Sequence, residues 1–275
     1  MGDAVLQMTV PESVAESRVS VAGLGLRVLR KGTGPPLVIV HGSLGNVGWL
    51  PFYEELAAQY TVYVPDVPGY GQSDRPEWAR SPRDLAILLQ QLMDVLGLAD
   101  VTLVGLGFGG FLAAEMASMN QARLVQLVLV GATGIRPREG EIADQMLIGF
   151  PEWGLSGFRD LDSFRQLFGV DSLPDDLYSL WDLSTEMTAR VCWKPWMFSD
   201  QLPHLLGEVR VPTLLVWGEH DRLVPIDIAH QFEDLLPDAT LEIVADAGHV
   251  VDLEAPETLT ALICRHASTR GGSAA

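Results

Sequence analysis

The sequence predicts an α/β protein with a mostly parallel, doubly wound sheet and one helical insertion. Short apolar runs rich in β-branched residues recur at 37–40, 61–64, 101–104, 125–130, 213–217 and 240–244, the pattern of strands buried on both faces. Helical patterns at 82–96, 109–119 and 226–236 lie between several of them, which gives the alternation of a parallel sheet with crossover helices. After Gly134 this alternation stops, and over 135–206 the chain turns helical and aromatic, with Trp153, Phe158, Trp181 and Trp193 among its rings, before the strand pattern resumes at Thr213.

Taken in order, two runs near the start, 18–21 and 25–29, predict a hairpin ahead of the first parallel strand. The core is expected over 1–134 and 207–266, a helical cap over 135–206, and a disordered tail over 267–275, where Ser, Thr, Gly and Ala dominate. A chain of 275 residues that is 48% hydrophobic is long enough to build this as one main domain with an insertion.

Charge and cysteine content narrow the function classes. With 36 acidic against 18 basic residues, the net charge of −18 repels phosphate backbones and anionic lipid surfaces, so neither nucleic acid nor membrane is expected as a partner. Cys192 and Cys264 are the only cysteines, too few for a disulfide framework or a zinc site, which fits a reduced, cytoplasmic setting. Residues 1–21 show no basic start followed by an apolar run, and no segment reaches the ~18 apolar residues of a membrane span. No cluster of His and carboxylates has metal-ligand spacing, so no metal is expected.

The chemistry is concentrated at predicted strand ends. The run 101–104 leads into Gly105-Leu106-Gly107-Phe108-Gly109-Gly110 and then a helix. A sharp strand-turn-helix of this kind needs small residues on its flanks and presents its central position, 107, above the sheet. The same six residues also match the G-x-G-x-x-G of a dinucleotide site. That alternative wants an acid at the end of the next strand, where Gly131-Ala132-Thr133 stand instead, and so no cofactor is expected. Four further segments keep company with the turn: Val40-His41-Gly42-Ser43, Asp66 to Asp74, Gly218-Glu219-His220-Asp221 and Asp246-Ala247-Gly248-His249.

At these residues the chain resembles the α/β-hydrolase superfamily over nearly its whole length, in the family's order of nucleophile, acid and histidine. The resemblance implies that Asp221 orients His249, that His249 is the general base and acid, and that the backbone N–H groups of Ser43 and Phe108 form the oxyanion hole. Asp66 to Asp74 and His41 are expected to be architectural.

The departure is Gly107, which leaves the nucleophile position without a side chain. Ser43, Cys192 and Ser73 are the candidates to replace it. The leading reading is an enzyme acting on a small, fairly hydrophobic carbonyl substrate through His249 and Asp221, with no covalent step. The alternatives are a serine hydrolase whose nucleophile has been replaced, and a small-molecule-binding protein that has lost the chemistry. Few cationic residues lie in the insertion, namely Arg136, Arg138, Arg159, Arg165, Arg190 and Lys194, so a carboxylate-bearing substrate is not indicated.

Overall fold

The structure, a computed structural model, describes residues 9–168 and 175–271. Eight strands form one sheet in the order β1-β2-β4-β3-β5-β6-β7-β8. They are β1 (Ala15–Val21), β2 (Leu24–Lys31), β3 (Pro36–Val40), β4 (Thr61–Pro65), β5 (Val101–Leu106), β6 (Leu124–Val130), β7 (Thr213–Gly218) and β8 (Ala239–Val244). The hairpin β1–β2 and the β2–β4 pair are antiparallel, and all pairings from β4 through β8 are parallel. Every residue of β5 and of β7 is buried. Since successive side chains point to opposite faces, helices must cover the sheet on both sides.

The helices are α1 (Pro51–Ala57), α2 (Pro82–Val95), α3 (Phe108–Met119), α4 (Phe150–Gly157), α5 (Leu161–Phe168), α6 (Asp175–Cys192), α7 (Leu202–Leu205), α8 (Ile226–Leu235), α9 (Val251–Glu254) and α10 (Pro256–Gly271). Local chemistry explains the sharp start of α2: the Ser81 hydroxyl accepts from Asp84 N–H while the Asp84 carboxylate accepts from Ser81 N–H, a reciprocal cap, and Pro82 takes the first helical position. Helix α3 lies against β5 and β6 and beside α2, and α8 lies against β7 and β8.

The chain steps from β3 outward to β4 and then returns to the other side of β3 to lay down β5. The reversal places the crevice between the carboxyl ends of β3 and β5 at the point where open α/β sheets take their ligands.

Two expectations need correction. The tail expected to be disordered from 267 is helical as far as Gly271, because α10 continues; residues 272–275 lie outside the described residues. The insertion is also less helical than its composition predicts. From 135 to 149 it has no helix, with Pro137 and Gly140 interrupting it, and its first helix starts at Phe150. Helices α1 and α10, not singled out from the sequence pattern, pack on each other.

Candidate active site

The turn between β5 and α3 is built by close backbone approach. A Cβ added at Gly109 would meet the carbonyl oxygen of Val40 at 2.1 Å, one at Gly105 would meet that of Gly109 at 2.5 Å, and one at Gly110 would stand 2.5 Å from the Cβ of Ala132. These three glycines let α3 sit directly on β3, β5 and the end of β6. Gly107 differs in kind. Its φ of 52° and ψ of −114° lie outside the regions L side chains favour. A Cβ there would meet the end of a side chain, His249 Nε2, at 2.9 Å.

His249 and Asp221 reach this point from two loops held together by their backbones. The Gly218 position leaves no room for a Cβ, which would lie 1.9 Å from the Gly248 carbonyl oxygen. Glu219 N–H donates to Val244 O and His220 N–H to Ala247 O. The buried indole of Trp217 donates to Val224 O at 3.1 Å and so pins the loop that carries Asp221. Within that loop Asp221 Oδ1 accepts from Leu223 and Val224 N–H, both at 2.9 Å, and Oδ2 takes His249 Nδ1 at 2.9 Å. Both side chains are secluded, with 2% of Asp221 and 12% of His249 exposed.

Burial works to lower the pKa of His249. The charge of Asp221, the hydrogen bond to it and the charge of Asp252 outweigh burial and hold the pKa above the ordinary histidine value. With Nδ1 engaged by the carboxylate, Nε2 is left facing Gly107.

The backbone N–H groups of Ser43 and Phe108 meet no acceptor among the described residues. The turn after β3 is held by Gly45 N–H on Gly42 O, and by the Ser184 hydroxyl of α6, which donates to Leu44 O at 2.7 Å. His41 supports the turn from beneath. Its Nε2 accepts from Val67 N–H at 2.9 Å, so the proton sits on Nδ1 and points to Gly42 O at 2.8 Å. Burial lowers its pKa, against weaker opposing effects of Gly42 O and Asp66.

The structure separates the candidates for a substitute nucleophile. Cys192 is buried, and burial pushes its thiol up to about 12, far from the thiolate that reacts. Ser73 is spent on architecture, donating to Asp66 O and accepting from Arg27 N–H. Ser43 lies in the crevice, but no hydrogen bond joins its hydroxyl to His249 among the described residues.

A cavity with about 80 Å³ of room for the centres of water molecules opens over these groups. Its floor includes Gly42, Gly107 and His249, and its walls include Trp153 and Phe158 of the insertion and Tyr53 of α1. Among the described residues, no Lys or Arg side chain lines it. Three cations of the insertion are paired elsewhere, Arg136 with Asp200, Arg159 with Asp160 and Arg190 with Glu77.

The one carboxylate in its wall, among the described residues, is Asp252, which sequence reading missed. Burial raises its pKa to about 6, against the opposing pull of its own backbone N–H and of His249. No local pattern marks it, since it sits on a helix of only four residues just after His249. Tyr53 was missed because its helix was not singled out. Among the described residues, no group of three or more His, Cys, Asp or Glu side chains is placed to hold a metal ion, and no helix is long and apolar enough to cross a membrane.

Comparison with known proteins agrees with this architecture. The family model described as "Alpha/beta hydrolase family" matches residues 37–262, and the chain belongs to that family. It is 29% identical to a 2-hydroxy-6-oxononadienedioate/2-hydroxy-6-oxononatrienedioate hydrolase of Paraburkholderia phymatum, over 93% of this chain and 96% of that protein. It is 30% identical to a hydrolase of the same name from Dechloromonas aromatica, over 78% of this chain and 80% of the other. Among solved structures, a meta-cleavage product hydrolase from Pseudomonas fluorescens, in a mutant form complexed with acetates, superposes with a TM-score of 0.76 at 23% identity, covering 94% of this chain and 99% of that one.

Proposed function

We propose that the protein is a hydrolase that cleaves a bond beside the carbonyl of a small, apolar, uncharged substrate by general-base attack of water, without a covalent intermediate. The observation that carries this reading is the position of His249: its Nε2 stands 2.9 Å from where a Cβ of residue 107 would begin. Asp221 holds the imidazole at this point, so the free ring nitrogen faces the space beside Gly107 where no side chain stands.

In this reading His249 Nε2 takes a proton from water as the hydroxide adds to the carbonyl carbon. The oxyanion is met by the N–H groups of Ser43 and Phe108, which develop their full strength only as charge forms. Collapse of the tetrahedral species expels the leaving group, a carbanion or an alkoxide, which recovers the proton from imidazolium. Cleavage of a C–C bond next to a ketone is favoured by the relatives, two of which are named as hydrolases of 2-hydroxy-6-oxononadienedioate.

Their named substrate carries two carboxylates, whereas the wall here presents Asp252 and, among the described residues, no cation. An anionic substrate meets repulsion in such a cavity, so an uncharged ketone or ester is the better match.

A second reading, a serine hydrolase with its nucleophile replaced, is favoured by one feature: the positive φ of 52° at Gly107 keeps the sharp strand-to-helix turn on which a nucleophile would sit. Turnover of a panel of p-nitrophenyl esters and vinylogous diketones by the unaltered chain, His249→Ala, Gly107→Ser and the double variant separates the two. Turnover by the unaltered chain that His249→Ala abolishes and Gly107→Ser lowers supports the base mechanism. A silent chain that gains His249-dependent ester hydrolysis with Gly107→Ser sinks it in favour of the second reading.

A further inference from the structure

A second, smaller cavity adjoins the first and shares His249, Ser43 and Trp153 with it. About 20 Å³ of it admits the centre of a water molecule, by that measure room for about one. Two polar side chains in its lining stand unsatisfied among the described residues: both the Nε2 and the Oε1 of Gln145, and the Oγ1 of Thr133. The two residues are only 2% and 3% exposed. A buried amide with neither its donor nor its acceptor engaged is rare in a native protein and calls for a partner that does both. The apolar neighbours Ile142, Met197 and Leu223 offer no such group.

Both residues are held in place by backbone that belongs to the site. Thr133 N–H donates to the carbonyl oxygen of Gly107 at 3.2 Å. The segment before Gln145 is tied to the loop of Asp221, since Ala143 N–H donates to Leu223 O at 2.9 Å, and Trp196 Nε1 donates to Ala143 O at 3.2 Å. The orphaned groups and the base are thus fixed on one frame, which is what positioning of a small reactant requires.

We propose that Gln145 and Thr133 form the site of the attacking water, holding it between the Gln145 amide and His249 Nε2, while the larger cavity takes the apolar body of the substrate. The proposal rests on the base mechanism above and adds what that mechanism lacks, a place for its second reactant. Gln145 Nε2 donates to the water oxygen, and Oε1 or Thr133 Oγ1 accepts one of its protons. The other proton passes to His249 Nε2 as the oxygen bonds to the carbonyl carbon. Gln145 and Thr133 are positioning residues in this scheme; they exchange no proton with the substrate.

Crystal structures of the full chain and of Gln145→Leu, at a resolution that shows ordered water, test the site without any substrate. The expected result is a water within hydrogen-bond distance of both the Gln145 amide and His249 Nε2, lost in Gln145→Leu. No water there, or one that reaches Gln145 but not His249, overturns the proposal.

Hydrolysis of p-nitrophenyl acetate then tests the role. Gln145→Leu is expected to lower kcat roughly ten- to a hundredfold, with KM changed less than about twofold. Unchanged kcat in Gln145→Leu beside an inactive His249→Ala overturns the water site and leaves the base mechanism standing. Full activity in His249→Ala removes the base mechanism itself and the water site's role with it.

Discussion

Two histidines line the same cavity and differ in almost every respect that matters chemically. His41, after β3, gives both ring nitrogens to backbone, one to Gly42 O and one to Val67 N–H. His249, after β8, gives one nitrogen to a carboxylate and leaves the other toward Gly107. Burial lowers the pKa of the first, whereas Asp221 and Asp252 overcome burial and raise that of the second. A buried histidine is therefore a strut or a base according to its partners. A backbone amide that needs an acceptor fixes the neutral ring, and a carboxylate stabilises the charge that proton transfer creates.

The contrast is sharpest if each ring is removed. His249→Ala is expected to lower turnover of the panel substrates by roughly 10²–10⁴-fold, and by leaving Oδ2 of the buried Asp221 unpaired it should also cost about 1–3 kcal/mol in unfolding. His41→Ala strips a buried N–H of Val67 of its acceptor, so it should cost about 1–3 kcal/mol in denaturant unfolding. Equal effects of the two on turnover would erase the distinction.

Next in size is Asp221→Asn, which makes His249 resemble His41. With the carboxylate charge gone burial prevails, and the His249 pKa should fall below the ordinary value, as ¹H–¹⁵N titration of the ring would report. Turnover should drop by roughly 10²–10⁴-fold. The raised pKa of His249 contributes stability below its unfolded pKa of ~6.5, and that contribution is lost as pH rises through the folded value. Asp221→Asn should therefore be most destabilising in mildly acidic solution, and a penalty that grows with pH would contradict the assignment.

Gly107→Ser probes the space that His249 faces. Both the left-handed backbone and the 2.9 Å approach to Nε2 oppose a side chain, so a loss of about 1–3 kcal/mol is expected by calorimetry. A crystal structure of the variant should show the imidazole displaced from Gly107. An unmoved ring and unchanged stability would weaken the case that the position is naturally empty.

Asp252→Asn tests the second charge that acts on His249. The folded pKa of Asp252 is raised to about 6, so it binds its proton more tightly folded than unfolded, and stability falls as pH rises from ~4 toward 6. Removing the ionisable group should stabilise the protein by about 1–3 kcal/mol at pH 8 and by nearly nothing at pH 4. The same change should move the rising limb of the pH–rate profile, set by deprotonation of His249, to lower pH. A stability gain equal at both pH values, or a limb that moves upward, would show that the two groups do not interact as described.

Much of this was legible in the residues alone. Strands β3 to β8 were readable because buried parallel strands must be short, apolar and β-branched, and the tight turn at 105–110 was readable because only glycine permits its close approaches. The pairing of Asp221 with His249 was implied by the resemblance to the α/β-hydrolase superfamily, and the structure brings the two within 2.9 Å. The sequence could not reveal Asp252, Gln145 or Tyr53, for none has a local pattern. Asp252 sits on a helix of four residues, Gln145 in an irregular stretch and Tyr53 on an unremarked helix. What composition and periodicity determine is which segments are buried and how they repeat. Which polar side chains converge on one cavity, and whether a buried amide has a partner, depend on contacts between residues a hundred positions apart, and only the tertiary packing decides them.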